Sequence, residues 1–503
     1  MHIKEFFLTI AICIGLVVGV SCDNEKFTTN PNDRLEFSTD TLRFDTIFST
    51  IPSITLQLKV YNRHNKAINI NRIWLENGAN TNFRFNADGY HSGAGKSLEN
   101  IVVGAQDSIF VFVETTLKKN STDNPVYTAE NLIFDANSQR QRVVLEAYGQ
   151  DAVILRNHSI TTDETFTADK PYLIFGFLHV PQGRRLTLEA GTRIYIHKGD
   201  NIVLSTASGT LALENTCIVV EGNLVANGTT DRRVSIRCDR FDLAYTDIPY
   251  SFLPSQWGSI YLISQMGDNV LNNTDIVGAT NGVVLLGRAS IPVRLKVENS
   301  IFHSIGGNGI LSQFGSLEVV NSEISNCGSS AIAQRGGKLK VAHTTIANYM
   351  PAAFMVGNTS DEPALKIANF IKVNDVVTAF PITSTVVENS IIYGNRQNEI
   401  ELSDTLDISF NVFLSNCLIK SPELTRPQLH NILWTKDVEG KIFEQTSPDF
   451  GKLKERGYFN FQLSDNSYAK DKANRRVANN YPFDLRGKSR FADIKPDLGA
   501  YEK

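Results

Sequence analysis

Residues 297–311 read VENSIFHSIGGNGIL, and residues 319–333 read VVNSEISNCGSSAIA. Asn299 and Asn321 lie 22 residues apart, His343 of AHTTIANY lies 22 further, and Asn389 of ENSIIYGN lies 46 beyond that, close to two more periods. Leu295, Leu317 and Leu339 stand four positions before these origins, and Val297, Val319 and Val341 stand two before. Phe302, Ile324, Ile346 and Ile392 stand three after, out of strict alternation, as a chain that bends between two short strands requires. A period near 22 with short strands, Asn at the bends and no helical periodicity predicts a right-handed parallel β-helix, each repeat one rung about 4.8 Å above the last. Lys296, Glu318 and Lys340 share one outward position and should form a surface ladder.

Working outward, RRLTLEAGTRIYIHKG, GNLVANGTTDRRVSIRC and WGSIYLI repeat the strand, Gly, strand rhythm as the first rungs. Ahead of them, short alternating runs such as ITLQLKVYN, SIFVFVETTL and QRVVLEAYG, separated by turn-rich stretches, predict an antiparallel β-sandwich over residues 37–152. The fold class expected is all-β: this sandwich, a β-helix over 170–480 and a closing segment over 481–503. The chain has 503 residues, 42% hydrophobic and 20% charged, enough for more than one core. Its net charge of −4 supplies no basic field for a phosphate backbone, so nucleic acid is not an expected partner. Cys217, Cys238, Cys327 and Cys417 are scattered without ligand spacing and are expected as buried apolar residues; no metal or cofactor is expected.

At the amino terminus, Lys4 precedes an apolar run from Phe6 to Val20 ending in GVSC. It resembles a bacterial lipoprotein signal over residues 1–21, which implies lipidation of Cys22, a polar tether over 22–36 and an attachment to the membrane through that lipid. VYNRHNKAINI and DSIFVFVETTL resemble the immunoglobulin-like modules that precede repeat domains in envelope proteins. The succession of Gly191-Thr192, GNLVANGT, QWGSIYL, the Asn-Ser rungs, DLRGKSR and PDLGAYE resembles Bacteroidetes lipoproteins with a pectin-lyase-like β-helix, over about residues 170–503. That resemblance implies an outer-membrane or cell-surface location, and that Pro496–Glu502 closes the last turns. The tripeptides at Asp40, Asp45, Asp107 and Asp404 resemble the O-glycosylation sites of such proteins.

Relatives of this fold include polysaccharide lyases and glycoside hydrolases, but fold alone does not confer activity. Hydrolysis requires two carboxyl groups about 5–10 Å apart, one kept protonated. Asp275 and Glu323 occupy equivalent outward positions two rungs apart, with His303 on the rung between, and form the candidate catalytic set. No acidic cluster accompanies Arg335 or Lys338, as a lyase would need. The stretch 231–262 concentrates Arg232, Arg233, Arg240, Tyr245, Tyr250 and Trp257, cations and aromatic faces suited to an acidic glycan. The sequence therefore points to an envelope protein that presents a rigid surface to polysaccharide or an envelope protein, with an enzyme of the same fold and a structural spacer as rivals.

Overall fold

The computed structural model describes residues 27–503 apart from 94–95, 246–247, 264–266, 289, 351–360, 375, 406 and 447–458. Cys22 lies outside the described residues. The chain divides into two compact units, residues 1–151 and 152–503.

Among the described residues, the first unit is a sandwich of two five-stranded sheets. Period-2 alternation builds it: along Ser108–Thr115, Ile109, Val111 and Val113 are buried while Phe110 and Phe112 face out. Val126–Ala136 and Gln139–Gln150 form a hairpin whose two-residue turn, Asn137-Ser138, takes positive φ at both positions (50° and 60°), as the twist of a tight hairpin demands. Phe27 already bridges Ala67 and Leu35 is buried in the sandwich core, so the sandwich takes in most of the stretch expected as a tether.

The second unit is a parallel β-helix in which 26 described strands form one continuous sheet. The strands of this sheet begin at Val153, before the expected residue 170, and run to Leu433. Each rung contributes three strands, for example Arg294–Glu298, Ile301–Ile305 and Ile310–Gln313, and each strand pairs in parallel with its equivalent on the next rung. The register is the one the 22-residue period predicts: Leu295, Leu317 and Leu339 stack, as do Val297, Val319 and Val341, all buried in a core that runs the length of the helix. Full burial of each such side chain contributes about 1.5–3 kcal/mol. Lys296, Glu318 and Lys340 stack as expected, with Lys340 paired to Glu318 at 2.9 Å, but Lys296 turns to Glu298 at 2.6 Å. All four described cysteines are free and buried.

Asn299, Asn321, His343 and Asn389 share one bend and one backbone conformation, φ 51°, 48°, 47° and 49°. Asn tolerates this left-handed region better than most residues. The side chains also link rung to rung: Asn321 Nδ2 donates to Asn299 Oδ1 at 2.6 Å, and Asn389 Nδ2 lies 2.9 Å from His343 Nε2.

The carboxyl-terminal segment runs along the flank of the later rungs. Gly499 N donates to Asn389 O, Ala500 N to Thr345 Oγ1, and Arg490 Nη2 to Asn321 Oδ1. Leu485, Leu498, Ala500 and Tyr501 cover outward apolar side chains, Ala347, Ile391 and Leu418, that would otherwise face water.

Candidate functional site

One of the three strand columns carries the expected carboxylates and His303. Its outward side chains run Arg193, Ser235, Asp275, Ile301, Glu323, Thr345, Ile391 in one line, and Leu173, Tyr195, Arg237, Val277, His303, Ser325, Ala347 in the next. Asp275 and Glu323 are thus stacked two rungs apart, about 9.6 Å along the helix axis, with Ile301 between them.

The carboxylates are nevertheless committed to internal partners. Arg233 Nε donates to Asp275 Oδ1 at 2.8 Å, while its other nitrogens reach Asn273 Oδ1 and Asn299 O. Glu323 is buried and accepts from Ser325 Oγ at 2.8 Å and from the Tyr501 hydroxyl. Burial raises both carboxyl groups above the usual range, with Arg233 opposing the shift at Asp275 and the two hydroxyls opposing it at Glu323. Raised pKa values suit a general acid, but Glu323 lies under the carboxyl-terminal segment and is closed to a glycosidic oxygen. His303 faces the Phe252 ring at 5.5 Å, and burial beside Arg237 pushes it down to about 4. The expected catalytic set therefore stands in one region without forming an open acid–base pair.

The expected ligand-binding residues separate. Trp257 is fully buried inside the helix, its Nε1 donating to Val277 O at 2.8 Å, so it cannot meet a ligand. Arg233 belongs to Asp275, and Arg232 is exposed beside Gly191. The side chain of Tyr245 lies outside the described residues. Arg240 and Tyr250 do meet: the guanidinium sits 3.8 Å from the ring centroid while Asp242 holds it from the side, Nε to Oδ1 at 2.6 Å.

Around that pair the fold assembles residues distant in sequence. Arg156 lies 3.9 Å from the Phe175 ring, Phe175 lies 4.5 Å from the His197 ring, and His197 Nδ1 lies 2.7 Å from Asp239 Oδ2, one residue per rung. Alongside, Arg237 stands 5.1 Å from the Phe241 ring and 5.9 Å from that of Tyr195, and its Nη2 donates to Arg240 O. The first rungs of this face thus carry a strip of Arg156, Arg237 and Arg240 beside aromatic rings, with Asp239 and Asp242 among them; Arg156 is exposed, and Phe175, His197 and Arg237 are half-buried. Arg240 and Tyr250 were visible in the sequence because they are close neighbours. Phe175 and His197 were not, because the bend at Gly176, φ 75°, hides which residues of Tyr172–Val180 belong to this face.

Among the described residues, no group of three or more His, Cys, Asp or Glu side chains is placed to hold a metal ion, and no helix is long and apolar enough to cross a membrane.

No protein-family description matches the chain, and no curated protein does. Solved structures that resemble parts of it include the catalytic unit of a GH87 α-1,3-glucanase from Streptomyces thermodiastaticus, 11% identical over 72% of this chain and 79% of that one, with a TM-score of 0.26. A family 123 glycoside hydrolase from Clostridium perfringens is 6% identical over 24% of this chain and 26% of that one, TM-score 0.16. An ASH/PapD-like domain of human CEP192 is 11% identical over 26% of this chain and 96% of that one, TM-score 0.17. At these scores the function rests on the residues themselves.

Proposed function

We propose that the protein is a glycan-binding envelope protein whose β-helix offers this strip of cations and rings to an extended acidic polysaccharide. The observation that supports this is the stack Arg156, Phe175, His197 with the adjoining Arg237 and Arg240–Tyr250 groups. Sugar rings pack their C–H faces on aromatic side chains, and guanidinium groups recognise carboxylate or sulfate. Successive rungs about 4.8 Å apart give such contacts a repeat along a chain-like ligand. The commitment of Asp275 and Glu323 to Arg233 and Tyr501 favours binding over hydrolysis.

In this proposal the signal over residues 1–21 directs lipidation of Cys22, which anchors the protein at the outer membrane or cell surface, and an immunoglobulin-like sandwich precedes the β-helix in the chain. Cys22→Ser should move the protein from the membrane to the soluble fraction. The binding test uses the chain from Asp23 onward against acidic and neutral polysaccharides. Retention of acidic glycans, weakened by salt and reduced about 5–30-fold by Arg156→Ala or Arg237→Ala, is the expected result, the size of one to two kcal/mol for a well-placed contact. Equal retention of neutral glycans, or indifference to both substitutions, would overturn it. New reducing ends would replace it with an enzyme.

A further inference from the structure

Away from that strip, three residues on successive rungs form a hydrogen-bonded relay. Ser159 ends the strand Val153–Ser159 on the first rung and pairs directly with His179 on the next. The Ser159 Oγ lies 3.1 Å from His179 Nδ1, and His179 Nε2 lies 3.1 Å from Glu221 Oε2. Ser159 is exposed, whereas His179 and Glu221 are 8% and 4% exposed. Glu221 is held in turn by the tip of the Ile202–Leu213 hairpin: Ser208 N donates to Oε1 at 2.7 Å and Ala207 N to Oε2 at 3.3 Å.

The tautomer follows from donor and acceptor chemistry. Bonds from Ser208, Ala207 and His179 outweigh burial and keep the Glu221 carboxyl below its usual range, so it is an ionised acceptor. In the neutral imidazole the proton then sits on Nε2 toward Glu221, which leaves the Nδ1 lone pair facing the Ser159 hydroxyl as its donor. The hydroxyl of an exposed serine aimed at an imidazole lone pair, with the imidazole fixed from behind by a buried carboxylate, is the arrangement that activates a serine nucleophile.

We propose that Ser159, His179 and Glu221 form a nucleophilic site that takes acyl groups from small esters. Ser159 Oγ attacks the ester carbonyl carbon as His179 Nδ1 accepts the hydroxyl proton. The carbon–oxygen bond to the leaving alcohol then breaks, and the alcohol oxygen takes the proton from Nδ1. Water, deprotonated by the same nitrogen, attacks the acyl-serine and releases the acid, restoring the serine. Glu221 stays ionised throughout and acts as a positioning residue.

Covalent capture is the first readout, because it requires only an activated nucleophile. The full-length chain is treated with a biotinylated fluorophosphonate and digested for peptide mass spectrometry, and p-nitrophenyl acetate hydrolysis is followed in parallel. The expected result is label on Ser159, absent from Ser159→Ala, with the labelling rate lowered about 10²–10⁴-fold in His179→Gln. Glu221→Gln should also slow labelling, by letting the imidazole take the other tautomer. Ser159→Ala alters an exposed hydroxyl and should leave the melting temperature unchanged, which separates loss of label from loss of fold. If Ser159 remains unlabelled in a chain that melts normally, the relay only fastens the hairpin tip to the rungs and the proposal fails.

Discussion

Arg490 is fully buried and surrounded by carboxyl groups: its Nη1 donates to Glu502 Oε1 at 2.5 Å, and the charges of Asp484 and Asp497 bear on it as well. One guanidinium cannot balance three buried carboxylates, and burial pushes Glu502 up to about 8 against the opposing pull of Arg490. Between its ordinary 4.5 and about 8 the folded chain therefore holds a proton that the unfolded chain has released. The stability this contributes is complete below about 4.5 and is lost as pH rises through about 8. Melting temperature measured from pH 6 to pH 9 should fall, and Glu502→Gln, which keeps an acceptor for Arg490 and Asp497 N but cannot ionise, should flatten the fall. An equal slope in both proteins would mean that another group sets it. Arg490→Met should cost about 3–5 kcal/mol in denaturant unfolding, because it removes the guanidinium from a buried cluster that includes Asp484 and Asp497 and leaves Asn321 Oδ1 without its donor.

At the scale of the repeating element, the Asn ladder combines two effects that substitution can separate. Asn321 needs positive φ, 48°, and its amide bridges Asn299 Oδ1 on one side and Arg490 Nη2 on the other. Asn321→Gly relieves the backbone but loses both hydrogen bonds, about 1–3 kcal/mol where a buried donor is left unpaired. Asn321→Ala adds the left-handed strain of about 1–2 kcal/mol. Equilibrium unfolding should therefore rank wild type, Gly, Ala; equal values for Gly and Ala would remove the backbone contribution. The ladder, the inward Leu and Val stacks and the rung register were legible in the sequence because each rung repeats the same volume at the same offset. The flank was not. Ile301, Ala347 and Ile391 are outward yet apolar, since the carboxyl-terminal segment covers them, and in sequence an outward apolar residue is indistinguishable from an inward one. Trp257 misleads in the same way, an aromatic beside a cationic stretch that the rung turns wholly inward. Ser159, His179 and Glu221, separated by 20 and 42 positions, meet only once the register of the first rungs is known.

For the β-helix as a whole, the same face is used twice. Its early rungs present Arg156, Phe175, His197, Arg237 and Tyr250, while its later rungs are roofed by Leu485, Leu498, Ala500 and Tyr501. The roof has a physical necessity that the strip lacks: without it Ala347, Ile391 and Leu418 would form an apolar patch, and such patches drive association. The roof also sets what Glu323 can do, because the Tyr501 hydroxyl occupies one of its oxygens. A chain ending at Asn480 should bind a hydrophobic dye, form oligomers on size-exclusion chromatography and melt at a lower temperature. If the early rungs fold independently of the roof, as nearest-neighbour stacking of rungs implies, its monomeric fraction should still retain acidic glycan. Loss of glycan retention from a monomer whose early rungs remain protected in hydrogen exchange would instead place the binding surface under the roof, beside Asp275 and Glu323.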